Sequence, residues 1–166
     1  MKVLIGLGSN LGNRMAHMKS ARDFVFSLHE GTPPPVCSPL YETDPVGCAD
    51  HAPPFLNAVV AIESSLEPGD LLRRLRNFEQ ESGRSKHTAK NAPRTMDLDL
   101  LCADNLCIST TTLTVPHPRM TTRRFVLQPL ADIFPDFVVP GKNQTASALL
   151  ATLPDTPGAR LVARSW

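Results

Sequence analysis

Pro93-Arg94-Thr95-Met96-Asp97-Leu98-Asp99-Leu100-Leu101 reads as a strand whose two faces carry opposite chemistry. Met96, Leu98 and Leu100 fall on one face and Asp97 and Asp99 on the other, because side chains alternate along an extended chain. Side chains two apart on one face are rooted about 6.5–7 Å apart. Two carboxylates converging from that spacing form a hard oxygen site, which suits Mg2+ carrying a phosphate-bearing ligand. Just upstream, Arg84-Ser85-Lys86-His87-Thr88-Ala89-Lys90-Asn91-Ala92-Pro93-Arg94 holds four permanent positive charges. Carboxylates for metal beside cations for phosphate oxygens point to phosphoryl-type transfer from a nucleotide. An Asp-x-Asp pair alone is more often a solvated strand face, and a basic loop more often just a loop. Their contiguity shifts the reading toward a site.

Working outward, the pattern alternates between strands and helices. Lys2 to Leu7 is a short apolar strand ending in Gly8. Asn13 can cap a helix running to about Glu30, with Met18, Ala21, Val25 and Leu28 on one face and Gly31 as its stop. Val36 to Thr43 is extended and contains Pro39, as an edge strand or a bulge would. Phe55 to Glu63 is a strong strand: Leu56, Ala58, Val60 and Ile62 share one face, Phe55 and Asn57 the other. Pro68 opens a helix that continues to about Ser82 with Leu71, Leu75 and Phe78 inward. Glu79 lies outside that row and is expected in solvent. After the Asp97/Asp99 strand come a short hairpin arm near Leu106 to Ser109, a helix over Arg119 to Asp132, a short helix near Ala146 to Thr152, and an irregular tail.

Strand-helix-strand-strand-helix-strand is the split β-α-β order of an α+β, ferredoxin-like fold. It predicts an antiparallel sheet with helices on one face and a ligand site on the other. Phe55, Asn57, Asp97 and Asp99 all lie opposite their strands' apolar rows, so period-2 geometry alone allows them to share the open face.

The 166 residues suffice for one domain with a real core, and residues 1–166 are read as a single domain. A net charge of +1 provides no global field to recruit nucleic acid or an anionic membrane, so anion binding must be local. Cys37, Cys48, Cys102 and Cys107 show no zinc spacing, Cys48-x-x-His51 being the nearest approach. Reduced thiols in the cytoplasm are expected. Val3-Leu4-Ile5 is too short an apolar run for a secretory signal, and no run approaches a membrane span.

Other motifs carry less. Gly6-Leu7-Gly8-Ser9-Asn10-Leu11-Gly12 follows a strand and precedes a helix, but no acidic residue ends a second strand about 20 residues on, so a dinucleotide fold is disfavoured. No Walker A loop occurs, and Ser9 and Ser38 have no triad pattern. His117, between Pro116 and Pro118 and upstream of Arg123 and Phe125, is a structural hydrogen-bonder or an anion contact. Phe125 is a core residue, or a ring platform if it faces Phe55.

Several stretches together resemble the 6-hydroxymethyl-7,8-dihydropterin pyrophosphokinase family of folate biosynthesis. They are Gly8-Ser9-Asn10-Leu11-Gly12, Tyr41-Glu42-Thr43-Asp44-Pro45-Val46-Gly47, Phe55-Leu56-Asn57-Ala58, Lys90 through Leu101, Val115-Pro116-His117-Pro118 and Arg123 through Leu130. The resemblance implies transfer of a pyrophosphate from ATP to the pterin hydroxymethyl group, releasing AMP. It implies two Mg2+ ions held by Asp97 and Asp99. It places the pterin between Phe55 and Phe125, with Asn57, Thr43 and the backbone near Val46 reading its polar edge. Arg84 and Arg94 match basic catalytic positions of a mobile loop, with Lys86 a third cation. Arg76, Glu79, Leu100, Thr114, His117 and Arg123 match positions lining the ATP site. Asn91 and Thr112 depart from the family, standing where an aromatic often occurs and where some members carry an arginine. A monomer without nucleic acid or membrane partners is expected. A Mg-dependent nucleotidyltransferase using the same Asp pair and a non-catalytic RNA-binding module are the alternatives.

Overall fold

A computed structural model describes residues 1–44, 53–83, 95–156 and 158–166. Its strands are β1 (Lys2–Ser9), β2 (Val36–Cys37), β3 (Leu40–Thr43), β4 (Phe55–Glu63), β5 (Asp97–Ala103), β6 (Ile108–Ser109), β7 (Thr114–Val115) and β8 (Ala159–Ala163). Its helices are α1 (Arg14–Ser27), α2 (Pro68–Glu81), α3 (Arg124–Ile133) and α4 (Ala146–Thr152), with a 3-10 turn at Met120–Thr122. The main sheet runs β5-β1-β4-β3-β8, β2 joining β4 beside β3, and every pairing within it is antiparallel. β6 and β7 form a separate ribbon. The α+β, ferredoxin-like reading holds.

The apolar rows explain the layers. Val3, Ile5, Leu7, Leu56, Ala58, Val60, Ile62, Leu98 and Leu100 pack with Met18, Ala21 and Val25 of α1 and Leu71 and Leu75 of α2. Fully burying each such side chain contributes about 1.5–3 kcal/mol. Phe24 and Phe78 stack between the two helices with ring centroids 3.9 Å apart. Asn13 caps α1 by accepting the Ala16 N–H at 3.1 Å. Gly12 before it has φ +63, a conformation that disfavours any side chain.

The second face is not left wholly open. Leu4, Val59, Ala61, Leu101 and Cys102 pack under Val126, Leu127 and Leu130 of α3 and Ala146 and Leu149 of α4. A register shift of β5 against β1 between Leu4 and Ile5 accompanies the turn of both Leu101 and Cys102 into this second core. The uncovered part of this face is therefore the remaining end of the sheet, where Phe55, Asn57, Asp97 and Asp99 lie.

Several expectations differ from the structure. The helix read over Arg119 to Asp132 is broken at the extended Arg123 into a 3-10 turn and α3. α1 ends at Ser27 rather than near Glu30, because the Glu30 N–H pairs with the Glu63 carbonyl at 2.9 Å and His29 Nδ1 accepts the Glu63 N–H at 3.0 Å. Gly31 does not stop the helix; it permits that close approach, since a Cβ there would lie 2.4 Å from Glu63 Oε2. The tail is not irregular, because β8 extends the sheet beyond β3. Trp166 anchors its end, the indole N–H donating to the Ser38 carbonyl at 3.0 Å and Arg22 donating to the Trp166 carbonyl.

Candidate active site

Strand register assembles the site. Tyr41 pairs with Asn57, Asn57 with Gly8, and Gly8 with Asp97, giving one row across four strands. One row on, Thr43 pairs with Phe55; on the other side, Val59 pairs with Gly6 and Gly6 with Asp99. Two strand spacings, about 9.6 Å, separate Asn57 from Asp97 at the backbone. Gly8 is the floor between them: a Cβ there would stand 3.5 Å from Asn57 Oδ1 and 3.7 Å from Asp97 Cβ.

At one end, the buried Asn57 amide donates to Thr43 Oγ1 at 2.7 Å. That bond orients the Asn57 carboxamide and leaves its Oδ1 toward Gly8. Phe55 is half-buried beside the pair. This is the residue chemistry for reading the polar edge of a flat heteroaromatic.

At the other end, Asp97 and Asp99 are partly exposed on β5. Arg123 Nη1 lies 3.4 Å from Asp99 Oδ2, and its guanidinium carbon stands 5.2 Å from the Phe125 ring centroid. One arginine thus links the acidic end to Phe125, which is half-buried at the start of α3. His117 Nε2 lies 3.9 Å from the same Asp99 oxygen. The backbone N–H of His117 donates to the Leu101 carbonyl at 2.8 Å, and the ring Nδ1 accepts the Arg119 N–H at 3.2 Å. The proton of the neutral ring therefore sits on Nε2. Burial pushes the His117 pKa down, with Arg123 and Arg119 acting the same way and Asp99 opposing, so the ring is neutral at pH 7.

Glu79 departs from the solvent-facing expectation. It is buried, and its Oε1 accepts the Leu98 N–H at 2.7 Å. β5 is an edge strand, and alternate backbone groups of an antiparallel edge point away from its neighbour. Glu79 takes one of these, between the two aspartates. The missed signal was the vacant edge rather than anything in the helical pattern. Leu100 projects into the first core, so only its backbone faces the strand edge. Arg76 is exposed on α2, and Thr114 is exposed on the β6–β7 ribbon. Val46, Arg84, Lys86 and Arg94, along with Cys48, His51 and Asn91, lie outside the described residues. Residues to which the sequence assigned no site role are Ser9, whose hydroxyl donates to the Thr95 carbonyl at 2.6 Å, and Asn10 and Arg14, whose side chains reach the entry to β4.

The donor set fits a divalent cation that brings its own phosphate ligands. Among the described residues no group of three or more His, Cys, Asp or Glu forms a metal cage. Asp97 and Asp99 supply hard oxygens, and Mg2+ characteristically takes one or two carboxylates, completing its shell with water and phosphate. Burial pushes the Cys37 thiol up to about 11 and the Cys102 thiol up to about 12, so both are protonated thiols at neutral pH.

A ferredoxin-like sheet with paired carboxylates at one end of a bared face and an amide–hydroxyl pair at the other defines a two-substrate group-transfer enzyme of the phosphoryl type. The chain belongs to the 7,8-dihydro-6-hydroxymethylpterin-pyrophosphokinase (HPPK) family, whose model matches residues 4–135. It is 46% identical over 131 residues to the 2-amino-4-hydroxy-6-hydroxymethyldihydropteridine pyrophosphokinase of Bacillus subtilis, covering 78% of this chain and 75% of that one. It is 40% identical over 150 residues to the enzyme of the same name from Pseudomonas aeruginosa, covering 90% and 91%. The folic acid synthesis protein fol1 of Schizosaccharomyces pombe is 38% identical over 157 residues, but the chain spans only 21% of its length. Among solved structures, Plasmodium falciparum HPPK-DHPS with pteroate superposes with a TM-score of 0.68 over 90% of this chain and 42% of that one. At 13% identity that likeness concerns the fold. No described helix is long and apolar enough to cross a membrane.

Proposed function

We propose that the chain transfers pyrophosphate from ATP to the hydroxymethyl group of 6-hydroxymethyl-7,8-dihydropterin, releasing AMP, and that it does so on the face between Asn57 and Asp99. The observation that supports this reading is the row Asn57–Gly8–Asp97, which puts an amide and a carboxylate on either side of one glycine. The family and its named relatives support the activity.

In this reading the pterin lies between Phe55 and Phe125, its polar edge against Asn57, Thr43 and the backbone at Val46. Its hydroxymethyl group then extends toward Asp97. Asp97 and Asp99 would hold the Mg2+ that accompanies ATP, two ions in all, and the metal would supply charge to offset the phosphates. The substrate oxygen forms a bond to the β-phosphorus; the bond from that phosphorus to the α–β bridging oxygen breaks, and AMP leaves with the bridging oxygen. The hydroxyl proton passes to solvent. Arg84, Arg94 and Lys86 contribute cations to the phosphates. Arg76, Glu79, Leu100, Thr114, His117 and Arg123 border the nucleotide, Leu100 through its backbone and His117 as a neutral donor. Positioning and charge stabilisation carry such a reaction, since little covalent chemistry falls to the protein. Residues 1–166 act as one pyrophosphokinase domain, a cytoplasmic monomer with no nucleic-acid or membrane partner.

Incubation with Mg·ATP and the dihydropterin, followed by mass analysis of both products, tests the reading. AMP formed only with the pterin present, together with the pterin diphosphate, is expected. Transfer of a nucleotidyl group, or AMP release indifferent to the pterin, would overturn it.

A further inference from the structure

We propose that Arg14, braced by Glu42 and Arg160, is a positioning residue that sets Phe55 and Thr43 for the pterin. This rests on the placement of the pterin against Phe55, Asn57 and Thr43 given above. The chain leads into β4 through Pro53-Pro54. Proline has no N–H, so this dipeptide can be tethered by hydrogen bonding only through its carbonyls. Both carbonyls are taken by side chains from the β1–α1 junction. Asn10 Nδ2 donates to the Pro53 carbonyl at 3.2 Å, and Arg14 Nη1 donates to the Pro54 carbonyl at 2.7 Å.

The other arm of the same guanidinium, Nη2, meets Glu42 Oε2 at 2.9 Å. Glu42 Oε1 in turn accepts from Arg160 on β8. Glu42 immediately precedes Thr43, Pro54 immediately precedes Phe55, and Thr43 and Phe55 are direct partners across β3 and β4. Arg14 therefore closes a short ring through Glu42, Thr43, Phe55 and Pro54. Its two arms fix the residues just before the two pterin contacts, so their separation is set from outside the ligand face. The Glu42 side chain is 15% exposed. Burial pushes its pKa up, but hydrogen bonds from Arg160 and Arg14 outweigh that and hold it below the usual carboxylate value. A planar fork serves both partners at once, whereas a lysine ammonium in the same place is a single point charge. Arg160 lies beyond residues 4–135, so the brace draws on a strand outside the stretch the family model matches.

The test compares Arg14→Met, Arg14→Lys, Glu42→Gln and Phe55→Ala with the parent. Each is titrated calorimetrically with 6-hydroxymethyl-7,8-dihydropterin in the presence of an inert ATP analogue, and with the analogue alone; steady-state kcat and both KM values are also measured. Loss of one charge-assisted hydrogen bond corresponds to roughly a tenfold change, so Arg14→Met should weaken pterin binding about tenfold. Analogue affinity should stay within about twofold, and kcat should fall less than the pterin KM rises. Arg14→Lys should recover part of the loss. Equal weakening of both ligands, or a lowered melting temperature with pterin affinity unchanged, would overturn the inference. If Arg14→Met does not fold, Arg14→Lys and Glu42→Gln decide by the same criterion. Phe55→Ala separates the two levels: if it too leaves pterin affinity unchanged, the pterin placement itself fails; if it alone weakens pterin binding, only the positioning role fails.

Discussion

Replacing Glu79 by alanine removes the side chain that holds Leu98, in the strand that carries both aspartates, at its outer edge. The bond at stake runs from the Leu98 N–H to Glu79 Oε1 at 2.7 Å, with Glu79 2% exposed. Leaving a buried N–H without its acceptor costs about 1–3 kcal/mol. For a domain of this size 1 kcal/mol shifts the melting temperature by about 2–4 °C, so a central cost of about 2 kcal/mol predicts a fall of roughly 4–8 °C. Glu79→Gln keeps a carbonyl acceptor and should lose less than half as much. Leu98 lies between Asp97 and Asp99, so the loosened strand should also raise the Mg2+ concentration needed for half-maximal turnover. Calorimetric melting of the three proteins, with a Mg2+ titration of activity, measures both effects. An alanine variant that melts within about 1 °C of the parent and needs no more Mg2+ would refute the argument, since a shift that small leaves no room for the bond.

Asp97→Ala and Asp99→Ala should each lower kcat by at least about 10²–10³-fold, the scale of losing one charge-stabilising group, while circular dichroism stays unchanged; near-normal Mg-dependent turnover in either would remove the metal assignment. Phe55→Ala should weaken pterin binding more than ATP binding, by more than the about 0.5–1.5 kcal/mol that ring–ring contact adds to burial, as read by calorimetric titration with an inert ATP analogue present. Tyr41, the only tyrosine, should ionise near pH 12 rather than near 10, because burial and its hydrogen bond to Asp132 favour the neutral phenol. The folded state then holds its proton longer than the unfolded state, so the stabilisation is complete below pH 10 and lost as pH rises from 10 to about 12. Absorbance titration at alkaline pH follows that single group, and a midpoint near 10 in folded protein would contradict the burial.

The sheet was legible because its strands alternate cleanly. β4 is Phe55–Glu63 as read, with Phe55 and Asn57 opposite Leu56 and Ala58, and β5 separates its aspartates from Leu98 and Leu100. The convergence of Asn57 and Asp97 followed from that periodicity and needed only the pairing of both strands with β1. What escaped were features set by distant partners. Glu79 looked like a solvent residue because a helical pattern cannot report an unpaired strand edge beside it. β8 looked irregular because Leu161 and Val162 are both exposed, so no alternation marks it; its strand character comes from pairing with β3. α1 stops early because Glu63, far along the chain, takes up the Glu30 N–H and the His29 side chain. Arg14 carried no periodic signal at all, since its role depends on carbonyls that only the folded chain brings near.

The position of the chemistry at one end of the second face has a physical cause in β1. On that face α3 and α4 cover Leu4, Val59 and Ala61, where large side chains give the helices something to bury. Toward the other end β1 presents Gly6 and Gly8 instead. With no side chain rising from the central strand, little apolar surface is available there to hold a helix, and the sheet surface stays low between β4 and β5. A side chain at Gly8 would begin in van der Waals contact with both Asn57 and Asp97, filling the line between the amide and the carboxylate. The same absence of side chains thus keeps a helix off this end of the sheet and leaves a flat ligand room to reach both groups. Strand spacing then fixes their separation, and Arg123, reaching from the start of α3 to Asp99, closes the boundary between the covered and uncovered parts. Gly8 is therefore floor rather than part of a phosphate loop, which accounts for its place in β1 itself, while Gly6, overlain by the Leu101 side chain, marks where the covered part begins.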